Sequence, residues 1–406
     1  MMKRLLIGFF LVLSGSGLMA QNETLVAGVA SNDSMGCQLS WPLCMQARLD
    51  SMMQDPLLDY SQVGLMVWDL TDDMPLFSFN HRQLLRPAST MKLLTAITAL
   101  DQLGGNYQFR TSLYYTGEIV GRTLVGDLYC VGGMDPAFEG DDMWHFAHAL
   151  KELDIDTLCG RIVSDVTIKD TLKWGEGWCW DDDNPTLSPL LVNRKANFAE
   201  RLITALQDVD VALVDVALTK GKTPSDAKLV SERKRSIDQI LQRMMKDSDN
   251  LYAESVFYQT AASTRQPARA LDAARLERAL IERAGVNSSL CRIADGSGLS
   301  LYNYLSAEIE TMILRYAFRH QSVYSHLLYS LPIAGEDGTL KKRMRGTLAE
   351  GNVQAKTGTL TGVISLAGYC TASNGHRLCF AIMNQGMQKG SEARAFQDKV
   401  CMILCD

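Results

Sequence analysis

Two periodicities alternate along this chain, and the places where one gives way to the other mark its elements. Leu49, Met52 and Met53 share one face of a helical stretch. It passes into Gly64-Leu65-Met66-Val67-Trp68-Asp69-Leu70, a run apolar enough for a buried strand. A second short strand is expected over residues 77–80. After Arg86-Pro87-Ala88, the spacing of Leu93, Leu94, Ile97 and Leu100 predicts a core helix that starts near Ser89. Strand and turn character follows at 117–121, 124–130 and 160–164. An amphipathic helix over 236–245 leads into helices over 251–262, 268–284 and 306–318. Alternation over 353–360 marks a strand, 365–383 reads as a hairpin, and 391–404 as a closing helix. Helices and an antiparallel sheet on one core predict an α/β architecture.

From Lys92 to Ser248 the chain runs 156 positions, far more than a loop needs. A second, smaller domain is therefore expected as an insert over 104–220, with 21–103 and 221–406 forming the main domain. Residues 1–20 read as a signal peptide: Met1-Met2-Lys3-Arg4, an apolar stretch from Leu5 to Leu13, then small residues and a cut after Ala20. A periplasmic or otherwise extracytoplasmic protein is the expectation, with Leu18, three before the cut, leaving an uncleaved anchor open. Losing Lys3 and Arg4 with that segment takes the formal charge from −6 to −8, which argues against binding nucleic acid through its phosphates.

Ten cysteines, an even number, suit a compartment that permits disulfides. If Asn374-Gly375 forms a two-residue turn, Cys370 faces Cys379 closely enough for a cross-strand disulfide. Two buried thiols packing as small hydrophobes fit the same residues.

Three short motifs carry the candidate chemistry. In Ser89-Thr90-Met91-Lys92 the serine and lysine share a helix face, so the ammonium reaches the hydroxyl, and the helix N-terminus favours charge developing on Ser89. Lys92 is the candidate general base, and bringing it from about 10.4 to near neutrality requires burial or a second cation such as Lys356. In Ser248-Asp249-Asn250, a turn between helices, Ser248 would relay a proton to the leaving group and Asn250 would fix Lys92 and substrate backbone. In Lys356-Thr357-Gly358-Thr359 the first two residues would bind a carboxylate, and Gly358 leaves room for a substrate backbone alongside the strand. Amide groups of Ser89 and Thr359 would form an oxyanion hole. Taken singly, the first two motifs fit an ordinary helix start and a helix cap.

Together and in this order, the motifs are those of serine β-lactamases and penicillin-binding proteins. The chain resembles the D-alanyl-D-alanine carboxypeptidase/endopeptidase family of low-molecular-mass, class C penicillin-binding proteins, in which a large insert follows the Ser-x-x-Lys helix. The match extends to Gly126-Asp127-Leu128-Tyr129, Gly132-Gly133-Met134-Asp135-Pro136, Asp295-Gly296-Ser297-Gly298 with Asn303, and the segment from Leu331 to Leu340. It departs at Met134, where the family usually has glycine, and in an insert shorter than that of the larger members.

The resemblance implies a β-lactamase/transpeptidase-like main domain and a hydrolase of peptidoglycan stem peptides. Ser89 would attack the penultimate D-alanine carbonyl, release the terminal residue and pass the acyl group to water; β-lactams would acylate the same serine. It implies no cofactor and no metal, and leaves the oligomeric state open. A secreted serine β-lactamase shares the motifs but places them closer together, and a catalytically silent wall- or β-lactam-binding protein would keep them too.

Asp141, Asp142, His145 and His148 could be taken for a metal cluster, but a helix with an acidic first turn fits them better. Asp181-Asp182-Asp183, after Trp178 and Trp180, reads as a solvated loop or a cleft rim. Ser297 reads as a structural residue of a turn or a support to the site.

Overall fold

The computed structural model describes residues 40–182 and 184–406. The expected signal peptide and Cys37 lie outside the described residues. The chain begins with α1 (Leu43–Met52), the paired strands β1 (Gln62–Asp69) and β2 (Met74–Phe79), and a 3₁₀ turn (Ala88–Thr90) that runs into α2 (Met91–Leu103). Next come β3 (Gln108–Tyr115), β4 (Glu118–Val120), β5 (Thr123–Val125), β6 (Leu128–Val131), α3 (Gly140–Glu152), β7 (Thr157–Asp165), α4 (Phe198–Asp208), β8 (Ala212–Lys220) and β9 (Lys228–Ser236). Five helices follow: α5 (Ile237–Lys246), α6 (Asn250–Ala262), α7 (Ala270–Arg283), α8 (Ala307–Arg319) and α9 (Gln321–Ser330). The chain closes with β10 (Gln354–Leu360), β11 (Val363–Thr371), β12 (Arg377–Gln385) and α10 (Gly390–Cys405).

Two sheets organise these elements. The first is antiparallel, in the order β10-β11-β12-β1-β2, and buries both faces. Its odd positions on β12, Cys379, Ala381 and Met383, join the core built on α2 and α5–α8; its even positions, Leu378, Phe380 and Ile382, join a second core with α1 and α10. A strand covered on both faces loses polar alternation, which is why β11 reads as a nearly unbroken apolar run. The second sheet runs β4-β5-β7-β6-β3-β9 with β8 added on β7, mixes parallel and antiparallel pairs, and packs α3 and α4 over its own core. Ten of the thirteen residues of α2 are buried, so this helix is apolar all round and carries its lysine into the interior.

The structure corrects two expectations. Residues 124–130 form two strands rather than one: Gly126 bonds the Cys159 carbonyl, Asp127 turns to Arg161, and β6 then takes up its own pairing with β3. The β11–β12 hairpin closes not on a two-residue turn but on the loop 373–375, with Gly375 at φ 89° and the Ala372 amide donating to His376 O. That slips the register by one: Tyr369 faces Cys379, Cys370 faces Leu378, and the two cysteines point into different cores as free thiols. The proposed Cys370–Cys379 disulfide is therefore excluded.

Candidate active site

All three motifs converge on one cleft. Ser89 sits in the middle of the 3₁₀ turn, after Ala88 in the left-handed region at φ 49°, and α2 starts two residues later. One turn on, Lys92 is fully buried and its Nζ lies 3.0 Å from Ser89 Oγ. It also donates to Asn250 Oδ1 at 2.7 Å and to Ser297 O at 2.7 Å. Two of these partners are pure acceptors, so a neutral Lys92 keeps its two N–H groups on them and turns its lone pair to the Ser89 hydroxyl. Burial lowers Lys92 to about 8, against the opposing pull of Asp295, Glu254 and Asp249.

Lys356, on β10, is equally buried but has no carboxylate partner among the described residues. It donates to Ser248 Oγ at 2.9 Å and to Thr357 O at 2.8 Å. Burial, then the Lys92 charge, holds it well below the usual lysine range. Lys92 is lowered by burial alone, whereas the repulsion anticipated from the sequence is felt at Lys356.

Ser248 adopts φ 61°, and Asp249 caps α6 by accepting from the Leu251 amide at 3.0 Å. The cap frees its two neighbours for the cleft: Ser248 faces Lys356 and Asn250 faces Lys92. On β10, a Cβ at Gly358 would lie 2.0 Å from Ser365 Oγ, 2.7 Å from Pro87 O and 3.0 Å from Ser89 N. Only glycine lets the strand pass this close to the backbone of Ser89. Thr357 bonds Thr339 Oγ1 at 2.8 Å, and Thr359 is exposed beyond it.

A supporting layer lies behind these residues. Glu254 accepts from the amides of Gly296 and Ser297, which aims the Ser297 carbonyl at Lys92, and burial raises this carboxyl to about 8. Asp295 takes four donors, from Gly298 N, Ser300 N, Asn303 Nδ2 and Trp178 Nε1. Next to Ser89, Thr90 Oγ1 lies 2.7 Å from Pro87 O and 2.5 Å from Glu310 Oε1. With one hydroxyl proton, Thr90 can hold Pro87 only if Glu310 is the donor, in keeping with the burial that lifts Glu310 to about 8.

The segment between the first two motifs also reaches the cleft. Asn184, Thr186 and Arg194 share a cavity of about 410 Å³ with Ser248 and Asn250, and Arg194 grips Asp249 with two nitrogens at 2.6 and 3.2 Å.

Several of these residues were missed by sequence reasoning. Glu254 offered a signal, as the single charged residue of helix α6. Asn184 and Arg194 offered none, because only tertiary structure brings them to the cleft.

The acidic helix start holds as read: Asp142 closes a capping box and pairs with Arg233 and Arg235, while His148 stacks on Trp144. Among the described residues, the one close grouping of metal-type donors is Asp69, Asp72 and His376, outside the cleft, where His376 Nδ1 lies 2.7 Å from Asp69 Oδ2. Met134 takes the left-handed φ of 57° that explains why glycine suits that position.

A family model described as the D-Ala-D-Ala carboxypeptidase 3 (S13) family matches residues 45–190 and 189–405. A D-alanyl-D-alanine carboxypeptidase of Actinomadura sp. (strain R39) is 27% identical over 94% of this chain and 88% of its own. The crystal structure of penicillin binding protein 4 (dacB) from Haemophilus influenzae superposes with a TM-score of 0.79 at 22% identity, covering 87% of this chain and 98% of that one. The same protein complexed with a novel β-lactam gives 0.73 at 23% identity over the same shares.

Proposed function

The chain belongs to the D-Ala-D-Ala carboxypeptidase 3 (S13) family, and from that membership we propose that Ser89 is the nucleophile of a serine carboxypeptidase/endopeptidase acting on peptidoglycan stem peptides. The observation that carries this reading is the triple ligation of buried Lys92, which leaves one lone pair for one hydroxyl. Neutral Lys92 takes the Ser89 proton as Oγ adds to the penultimate D-alanine carbonyl. The amides of Ser89 and Thr359 receive the oxyanion, an arrangement in which each donor is typically worth about 2.7–4 kcal/mol. Ser248, bonded to Lys356, relays the proton held by Lys92 to the leaving nitrogen as the C–N bond breaks, which returns Lys92 to the free base. Water, deprotonated by Lys92, then adds to the acyl carbonyl, and as the bond to Oγ breaks Lys92 returns that proton to Ser89. Lys356 and Thr357 bind the terminal carboxylate while Gly358 keeps the strand open to the peptide backbone.

The division into a main domain, 21–103 with 221–406, and an insert, 104–220, belongs to the same reading. A separate sheet and core support it, and β9 carries that support on to Ser236. Export to the periplasm or cell exterior rests on residues 1–20; among the described residues no helix is long and apolar enough to cross a membrane.

Intact-mass spectrometry after incubation with benzylpenicillin tests the assignment. A lasting adduct mapped to Ser89 is expected. An adduct elsewhere would remove Ser89 as nucleophile, and consumed drug without a lasting adduct would mean a β-lactamase.

A further inference from the structure

Apart from Trp178, which donates to Asp295, the segment Trp174-Gly175-Glu176-Gly177-Trp178-Cys179-Trp180-Asp181-Asp182 has no part in the chemistry above, yet it is firmly held. Trp178 Nε1 donates to Asp295 Oδ2 at 2.8 Å, Ser300 Oγ to Glu176 O at 2.6 Å, and Arg292 pairs with Glu176 at 2.8 Å. Its last turn closes on itself, with the Cys179 amide on Asp182 Oδ2 at 2.8 Å and Asn184 Nδ2 on Cys179 O at 2.7 Å. Despite these anchors the loop turns two of its three indoles outward: Trp180 is 94% exposed and Trp174 65%. Large apolar rings on a fixed scaffold, left in water, are a feature of binding surfaces rather than of solvated loops.

Trp180 stands four positions before Asn184, which lines a cavity together with Ser248 and Asn250. The buried Oδ1 of Asn184 has no hydrogen-bond partner among the described residues. Four positions of chain span at most about 14 Å, so a ligand resting on Trp180 lies close to the part of the cleft that Asn184 lines. Resting on the proposed function, we propose that this loop is a platform for the N-acetylated amino-sugar strand to which the stem peptide is attached.

Pyranose rings present an axial C–H face that packs on an indole and equatorial hydroxyls that donate to carboxylates. Trp180 with Asp181 and Asp182 supplies both. The loop's charges, Glu176, Asp181 and Asp182, disfavour an anionic lipid surface. The enzyme would accordingly favour stems still on their glycan over free stem peptides.

The test measures binding of the full chain to peptide-free glycan strands and to insoluble sacculi, for wild type, W180A and W174A/W180A. Binding is expected to weaken about tenfold in W180A and further in the double variant. Benzylpenicillin labelling of Ser89 and kcat/KM on a soluble stem pentapeptide should stay at wild-type values, which also shows that the variants fold. Glycan binding that is absent in wild type or unchanged in the double variant overturns the platform. So does wild-type binding to anionic vesicles that the same substitutions abolish. Loss of labelling in the wild type would instead sink the proposed function, so the two failures are distinguishable.

Discussion

The cleft has two lysine walls, and they differ in company rather than in burial. Lys92 and Lys356 are both wholly enclosed, so each bears the same kind of desolvation penalty. Around Lys92, the charges of Asp295, Glu254 and Asp249 oppose that penalty and leave it near neutrality, at about 8. Around Lys356, only a hydroxyl, a carbonyl and the like charge of Lys92 are at hand among the described residues, and it falls well below its usual range. One residue type thereby serves two purposes. A lysine balanced near neutral pH can exchange a proton in each catalytic cycle, whereas one without a counter-charge waits for an anion, such as a substrate carboxylate, to complete it.

Removing the shared target of both walls has the largest expected effect: Ser89→Ala should lower stem-peptide hydrolysis by about 10⁴-fold or more and abolish penicillin labelling, read by mass spectrometry. Surviving labelling would leave the comparison without an object. Lys92→Met should lower the acylation rate by about 10²–10⁴-fold with little change in substrate affinity. Lys356→Met should instead act chiefly on KM for substrates ending in a carboxylate. Identical profiles for the two variants would erase the distinction between the walls.

The pH profile sharpens it further. In the proposed mechanism Lys92 works as the free base, so acylation should fall about tenfold for each unit of acidity below its value of about 8; a flat profile from pH 5 to 8 would remove Lys92 as base.

The smallest effect concerns stability beneath the first wall. Burial raises Glu310 in the folded chain from 4.5 to about 8, so its contribution is fully present below pH 4.5 and is lost as pH rises through about 8. Glu310→Gln keeps a donor for Thr90 but cannot ionise. Its melting temperature should fall less steeply than wild type between pH 5 and 8, and equal slopes in calorimetry would contradict a protonated Glu310.

Much of the first wall was legible because Ser89 and Lys92 sit one turn apart on a helix whose leucines announce its burial. The second was legible because Gly358 interrupts a strand just where something must pass close by. The hairpin register was not, since Asn374-Gly375 suits both a two-residue turn and the observed three-residue loop, and one residue's difference sends Cys370 to the opposite face. Nor were the counter-charges of Lys92. Asp249 reads as a helix cap and Asp295 as a turn residue, and nothing local to Glu254 says which lysine it neighbours.

The pairing of β1 with β12 joins residues 62–69 to 378–385, and it has a consequence for the chain as it is being made. Closing so long a loop is an entropic cost that local helix formation does not share. A nascent chain that has emerged only as far as Arg345 holds its serine and first lysine but lacks β10–β12, and with them the opposite wall. Such a chain is a latent hydrolase: it acquires its cutting edge only once its C-terminal strands dock, so assembly itself acts as the safety catch.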